Sequence, residues 1–278
     1  MYAYHTISVK INTDKHPPYF TGSMLRGAFG HALKKVTCIN PTYKCEGCFA
    51  AENCVYYQFY EKETLQPKFR FDITLESDTF DFGFYLFGDA CTQLPYVLSS
   101  LEMALGQNGL GKDRTRFTDI TMLVDDAIVY ENQAFLPHIP STPQTFSRAD
   151  YTPNLKVKLL TPLRIKQDNQ IAHNDVAFKN IIRSIYQRKQ QIFHNEQVHS
   201  LPYKTSMTTV IKLLENKKLY RKSDRQGRKI VMDGLLGEFA VIGLDEDSFH
   251  LLKLGELIGA GKQTTFGLGK LKVEEIKS

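Results

Sequence analysis

Residues 2–12, YAYHTISVKIN, alternate in polarity. Ala3, His5, Ile7, Val9 and Ile11 fall on one side and Tyr2, Tyr4, Thr6, Ser8 and Lys10 on the other, the period-two pattern of a half-buried strand. HPPYF breaks this pattern, since prolines disfavour a helix immediately before them. The next segment, SMLRGAFGHALKKV (23–36), changes period. Stepped at 100° per residue, Leu25, Ala28, Phe29, Ala32, Leu33 and Val36 share one arc, while Arg26, Gly27, Gly30, His31, Lys34 and Lys35 lie outside it, which predicts a helix with Ser23 as its N-cap. Strands are expected near 69–76, 79–88 and 115–124, with a second helix near 92–105.

PHIPSTPQTFSRADYTP (137–153) holds four prolines and is the best linker. Beyond it the same order returns. NLKVKLLTPLRI (154–165) reads as a strand, and 175–193 as a helix with Phe178, Ile181, Ile182, Ile185 and Ile192 on one side. Strands follow near 206–214 and 229–243, then a short helix, DSFHLLKLGEL, a glycine-rich loop and a last strand. Each half therefore reads β-α-β-β-α-β with a Gly-Lys segment after its second helix. The expected fold is α+β, two tandem ferredoxin-like (RRM-like) domains. The first spans 1–140, with a cysteine-rich insertion at 38–54. The second spans 148–278, with a basic segment at 217–229 and the glycine-rich loop at 259–269.

Composition narrows the class. With 278 residues, 42% hydrophobic and 23% charged, the chain can build two cores. It has no run of 18 apolar residues, and MYAYHTISVK has neither an apolar h-region nor a cleavage site. No membrane partner and a cytoplasmic location are the expectations. The net charge of +5 is unevenly spread. Residues 1–140 carry 12 basic and 16 acidic side chains, residues 141–278 carry 23 and 14. KKLYRKSDRQGRK (217–229) has seven basic residues and one acidic one. A polyanion partner fits this footprint; so does a solvated hairpin with lysines on an exposed edge.

Three constellations carry candidate chemistry. GAGKQTTFGLGK (259–270) places Gly259, Gly261, Gly267 and Gly269 beside Lys262 and Lys270. It is not a nucleotide-binding P-loop, because Gln263 follows Lys262, Glu256 stands where the first glycine belongs, and a strand rather than a helix follows. Its bare backbone could cradle phosphates; a tight turn needing positive φ explains the glycines equally well. On the first helix His31 lies on the polar face, with Lys35 one turn on and Gly27 and Gly30 flattening the surface. A phosphodiester would fit there, as would a surface histidine with no task. Cys38, Cys45, Cys48 and Cys54 form C-x6-C-x2-C-x5-C, with Cys91 apart. This spacing suits a tetrahedral metal. Structural zinc is the first choice, with an iron–sulfur cluster or unmetallated thiols also open.

PPYFTGSMLRGAFGHALKKVTC…CEGCFAAENCVYYQFYE resembles the N-terminal motif of CRISPR-associated endoribonucleases that process precursor crRNA, members of the RAMP superfamily. GQNGLGKDRTRF, KLLTPLRIK, YQRKQQIF, LYRKSDRQGRKIVMDGLLGEF and LGELIGAGKQTTFGLGKLKV resemble further segments of that family, in the same order. Some members carry a histidine just before the Gly-Lys of the last loop; here Gly259 and Ala260 stand there. The resemblance implies two ferredoxin-like domains in a prokaryotic cytoplasmic protein that cleaves CRISPR repeat RNA without a catalytic cofactor. The RNA would supply its own nucleophile, the 2′-OH beside the scissile phosphate. His31 would transfer a proton, Lys35 would stabilise the phosphorane, and Tyr19 would be an accessory group. Arg26, Lys34, Arg221, Lys222, Arg225, Arg228 and Lys229, with the glycine-rich loop, would bind RNA. The alternatives are a non-catalytic RNA-binding subunit working with other CRISPR effector subunits, and a zinc-dependent nuclease.

Overall fold

The structure, a computed structural model, describes residues 2–64, 66–167, 170–223 and 228–276. The chain divides into two compact units, Met1–Phe146 and Ser147–Ser278. In the first, β1 (Ala3–Ile11), α1 (Gly22–Thr37), β2 (Phe69–Asp72), β3 (Phe82–Phe87), α2 (Leu94–Glu102) and β4 (Ile120–Val124) follow one another. The sheet runs β2-β3-β1-β4, antiparallel throughout, so β1 is central. β5 (Ala127–Glu131) and β6 (Ala134–Phe135) extend it beyond β4, and β7 (Gln144–Thr145) pairs with the start of β1. The proline-rich segment is therefore partly anchored, because Ala3 and Tyr4 face Thr145 and Gln144.

The alternation of β1 sets its faces: His5, Ile7, Val9 and Ile11 are buried. His5 is fully buried, and its Nδ1 lies 2.5 Å from Asp125 Oδ2. Asp125 also accepts from Thr6 N at 2.8 Å, so this histidine ties β1 to the β4–β5 turn. α1 packs Leu25, Phe29, Ala32 and Leu33 inward. Phe29 meets Phe84 at 5.0 Å, Phe69 stacks on Phe84 at 5.3 Å and Phe71 meets Phe84 edge-on at 5.0 Å. Such pairs add about 0.5–1.5 kcal/mol beyond their area burial. The α1 N-cap is Thr21 rather than Ser23. Ser23 lies inside the helix, and no side chain caps its first turn.

In the second unit β8 (Leu155–Leu163) is followed by the short hairpin β9 (Lys166–Gln167) and β10 (Gln170–Ile171), then α3 (Phe178–Phe193). β11 (Thr209–Lys217), β12 (Tyr220–Ser223), β13 (Arg228–Val231), β14 (Gly234–Ile242), α4 (Glu246–Ile258) and β15 (Leu271–Glu275) complete it. The main sheet runs β11-β14-β8-β15, again antiparallel, and β12–β13 forms a separate two-stranded hairpin. The single strand expected at 229–243 is thus two, broken at Met232 and Asp233. Asp233 is held there by Arg164, with Nη1 to Oδ1 at 2.7 Å. α3 buries Phe178, Ile181, Ile182, Ile185 and Ile192. It begins three residues later than expected, after Asp175 and Val176 have bound Lys212 Nζ through a carboxylate oxygen (2.8 Å) and a carbonyl (2.6 Å). Among the described residues, no helix is long and apolar enough to cross a membrane.

Candidate nucleic-acid interface

The polar side of α1 divides into two stripes. One is occupied by aromatic rings from the turn at Tyr57–Glu61 and the residue before it. Tyr60 lies over Gly30, where a Cβ would come within 2.6 Å of Cε1. Its hydroxyl donates to the Arg26 carbonyl oxygen at 2.7 Å. The Arg26 guanidinium sits 4.5 Å from the Tyr60 ring centroid. Tyr56 stacks on Tyr60 at 5.3 Å, and Lys34 Nζ lies 4.9 Å from the Tyr56 ring. Burial, partly opposed by Arg26, raises the Tyr60 hydroxyl far above the ordinary tyrosine range, so it stays a neutral donor. Gly30 therefore does not leave backbone open to a ligand: it is buried because the Tyr60 ring requires its bare Cα.

The other stripe is open. Gly27 is exposed and a Cβ there would meet nothing within 4 Å. His31 and Lys35 follow at four-residue spacing on this face, both exposed. No side-chain partner holds His31 among the described residues. Tyr19 precedes the helix, 37% exposed, its carbonyl accepting from Glu76 N at 2.9 Å. The helix thus presents an unencumbered imidazole and an ammonium on one surface, with Arg26 and Lys34 committed to aromatic faces beside it.

The four cysteines Cys38, Cys45, Cys48 and Cys54 are part-buried thiols after α1, and three of them, Cys38, Cys48 and Cys54, line a cavity of about 350 Å³ with Val36, Asn40 and Tyr96. Burial raises the Cys45 thiol above its usual value, against the opposing influence of Lys34. Cys91 is buried separately and pushed up to about 12 by desolvation. Among the described residues, no three His, Cys, Asp or Glu groups are gathered where they could hold a metal ion.

The glycine-rich loop departs from the expected phosphate cradle. The Gly259, Ala260, Gly261 and Lys262 amides donate to Gly255 O, Gly269 O, Ser184 Oγ and Arg164 O. Those of Gly267, Gly269 and Lys270 donate to Thr264 O, Pro162 O and Thr161 Oγ1. Amides already bonded inside the protein cannot line a nest for phosphate. The glycines answer local geometry instead. A Cβ on Gly261 would sit 2.5 Å from Arg164 O and one on Gly269 1.8 Å from Ala260 O, at φ of 73° and 69°. What the loop offers outward is Lys262, exposed and close to Lys166 and Arg164; desolvation and then these two cations lower its pKa. Lys166 and Arg164 were not singled out from the sequence; their place beside Lys262 depends on the path of β8 past the loop.

Arg164 also fixes the basic hairpin. Its Nη1 reaches Val231 O and Asp233 O, both at 3.3 Å, as well as the Asp233 carboxylate. The β12–β13 register pairs Arg221 with Ile230 and Lys222 with Lys229. Arg225 lies outside the described residues, as do the side chains of Arg221, Lys222, Arg228 and Lys229.

Residues 1–140 match the AF_1859_N family model, an N-terminal domain, and residues 157–271 match that of the CRISPR-associated endoribonuclease Cas6. The chain belongs to the AF_1859_N family through its first half, and its residues 157–271 are similar to Cas6. An uncharacterized protein of Archaeoglobus fulgidus is 24% identical over 285 residues, covering 93% of both chains. Among solved structures, a Cas6 product complex superposes with a TM-score of 0.59 at 12% identity, over 98% of this chain and 99% of that one. Thermus thermophilus Cas6 gives 0.55 at 11% identity over 99% of both chains. A RAMP protein described as binding different RNA substrates gives 0.50 at 13% identity over 98% and 100%. At these identities the likeness is one of fold.

Proposed function

We propose that this protein, built on two ferredoxin-like units, is an endoribonuclease of the Cas6/RAMP kind that cuts CRISPR repeat RNA to mature crRNA without a metal. The observation that carries the reading is the open stripe of α1. There Gly27 gives a strand room to approach, His31 is exposed with no side-chain partner among the described residues, and Lys35 stands one turn away. The 2′-oxygen beside the scissile phosphate attacks phosphorus, its proton passes to a base, and the 5′-oxygen leaves and takes up a proton. His31 makes one of these transfers and Lys35 balances the charge that builds on the phosphorane. Tyr19 is an accessory group at the same end of the chain. The products are a 2′,3′-cyclic phosphate (or 3′-phosphate) and a 5′-hydroxyl. Arg26 and Lys34 contribute positive potential along the helix. Lys262, Lys270 and the basic hairpin with Arg221, Lys222, Arg225, Arg228 and Lys229 grip the repeat by charge.

The test is cleavage of the repeat RNA in EDTA by the parent chain and by His31→Ala. Cutting should persist with chelator. It should fall about 10²–10⁴-fold in the variant, the usual range for one acid–base group, while RNA binding stays intact. A 2′-deoxy nucleotide at the cut site should block the reaction; cleavage of that substrate would exclude the mechanism. A second reading, an RNA-binding RAMP subunit without catalysis, is favoured by the lack of a side chain orienting His31 among the described residues and by the likeness to the RAMP protein above. It predicts tight binding and no cut.

A further inference from the structure

The first unit contains a second Gly-Lys turn that the catalytic reading leaves without a role. GLGK (109–112) follows the helical segment after α2 just as GAGK (259–262) follows α4. Gly109 has φ 76° and ψ 159°, and Gly259 has φ 77° and ψ 168°. Gly111 and Gly261 have φ of 71° and 73°. The two turns leave their helices with the same backbone, yet their surroundings are opposite. The GAGK amides are consumed inside the second unit. The 109–116 turn closes on itself, with Leu110 N to Thr115 O at 2.8 Å and Thr115 N to Leu110 O at 2.9 Å, and projects its tip into solvent. Lys112, Arg114 and Arg116 are all exposed. Asp113 is the one acidic residue among them, and none of the three cations has an ion-pair partner among the described residues.

The turn is also aimed. A Cβ on Gly111 would meet Met24 Sδ at 3.2 Å, so it rests against the first turn of α1. From Met24 the helical stripe continues through Gly27, His31 and Lys35, at spacings of three, four and four residues. At 1.5 Å per residue, the turn stands roughly 10 Å along the helix from His31. Three cations with no ion-pair partner among the described residues, at one end of an open, glycine-flattened helix face, match a single RNA strand laid along it.

We propose that the 109–116 turn is an RNA-backbone clamp, in which Lys112, Arg114 and Arg116 hold phosphates flanking the one that reacts at His31. The proposal rests on the endoribonuclease reading for its ligand. The test combines Lys112→Ala, Arg114→Ala and Arg116→Ala in one variant and measures affinity for the repeat RNA across a salt titration. A triple variant of Lys15, Lys44 and Lys62 to Ala, exposed cations elsewhere in the same unit, controls for net charge. Each phosphate contact on a single strand contributes roughly 0.7 to the slope of log K against log salt. The turn variant should therefore lose about 2 from that slope and bind ten- to a hundredfold more weakly near 0.1 M salt, with the control near parental. Parental affinity and slope in the turn variant, or an equal loss in the control, would overturn the clamp and leave the cleavage reading standing. No RNA binding by the parent chain would sink both.

Discussion

Tyr60 lies across Gly30, near enough that a methyl group at residue 30 would press 2.6 Å from the ring. That one contact separates two glycines that look equivalent on a helical wheel. Gly30→Ala gains helix propensity of about 0.8–1 kcal/mol but must displace a buried ring whose hydroxyl is bonded to Arg26 O, an overpacking change of about 1–3 kcal/mol. Gly27→Ala gains the same propensity with nothing in the way. Thermal unfolding should therefore show Gly30→Ala destabilised and Gly27→Ala stabilised by close to 1 kcal/mol. The same direction for both would mean the ring does not sit where it is placed.

Much of this was readable in the chain. The strict alternation of β1 and the 100° arc of α1 put Ile7, Val9, Leu25, Phe29 and Leu33 in the core, because both patterns are local. Gly30 was misplaced because Tyr60, thirty residues on, decides its environment. The glycine-rich loop was open to two explanations, and the partners that choose between them, Thr161 and Pro162 in β8 and Arg164 just past its end, lie about a hundred residues earlier. Asp233 with Gly234 is a turn-type dipeptide inside a stretch that reads as one strand, but that Arg164 holds Asp233 there is set by long-range pairing. The faces of single elements are legible from periodicity; which neighbour covers a face is fixed by long-range pairing.

If the 259–269 loop serves structure, its glycines and its lysine should separate in experiment. Gly269→Ala places a methyl group 1.8 Å from Ala260 O at positive φ, so it should cost several kcal/mol or prevent folding, well beyond a surface change. Lys262→Ala removes an exposed cation beside Lys166 and Arg164 and should leave the melting temperature near parental while weakening RNA binding. Equal loss of affinity in Lys262→Ala and in the folded fraction of Gly269→Ala would return the loop amides to the RNA.

Acid stability should report the pairing of β8 with β15. Lys158 Nζ bonds Glu274 Oε1 at 2.9 Å, and this bond holds the Glu274 carboxyl below its ordinary value. A carboxylate with a depressed folded pKa adds stability above its unfolded value of about 4.3, and that contribution disappears as pH falls through the folded one. Lys158 is raised by the same bond, so its share is present at neutral pH and is lost only as pH rises through the raised value. Both groups are at the surface, so the effect is small and salt-sensitive. Melting curves of the parent and Glu274→Gln should differ slightly at pH 7 and converge in strong acid. A gap that widens on acidification would contradict the sign.

Asp233 is where stability and recognition meet in the second unit. Its carboxylate takes Arg164 Nη1 at 2.7 Å and lies 3.2 Å from His173 Nδ1, both from segments distant in sequence. The Arg164–Asp233 pair is largely buried, at 18% and 14% exposure. Removing one member leaves the other charge poorly solvated, so Asp233→Ala should destabilise by about 1–3 kcal/mol, the penalty for an unsatisfied buried polar group. It also loosens Arg164 from the backbone of β13, freeing the basic hairpin from the sheet. RNA affinity should therefore fall although no basic side chain has been removed. Replacing Arg164 with Met at the same time should restore part of the stability, because the stranded cation is gone, but not the affinity. Full recovery of RNA binding in the double variant would show that the hairpin holds its place without this pair.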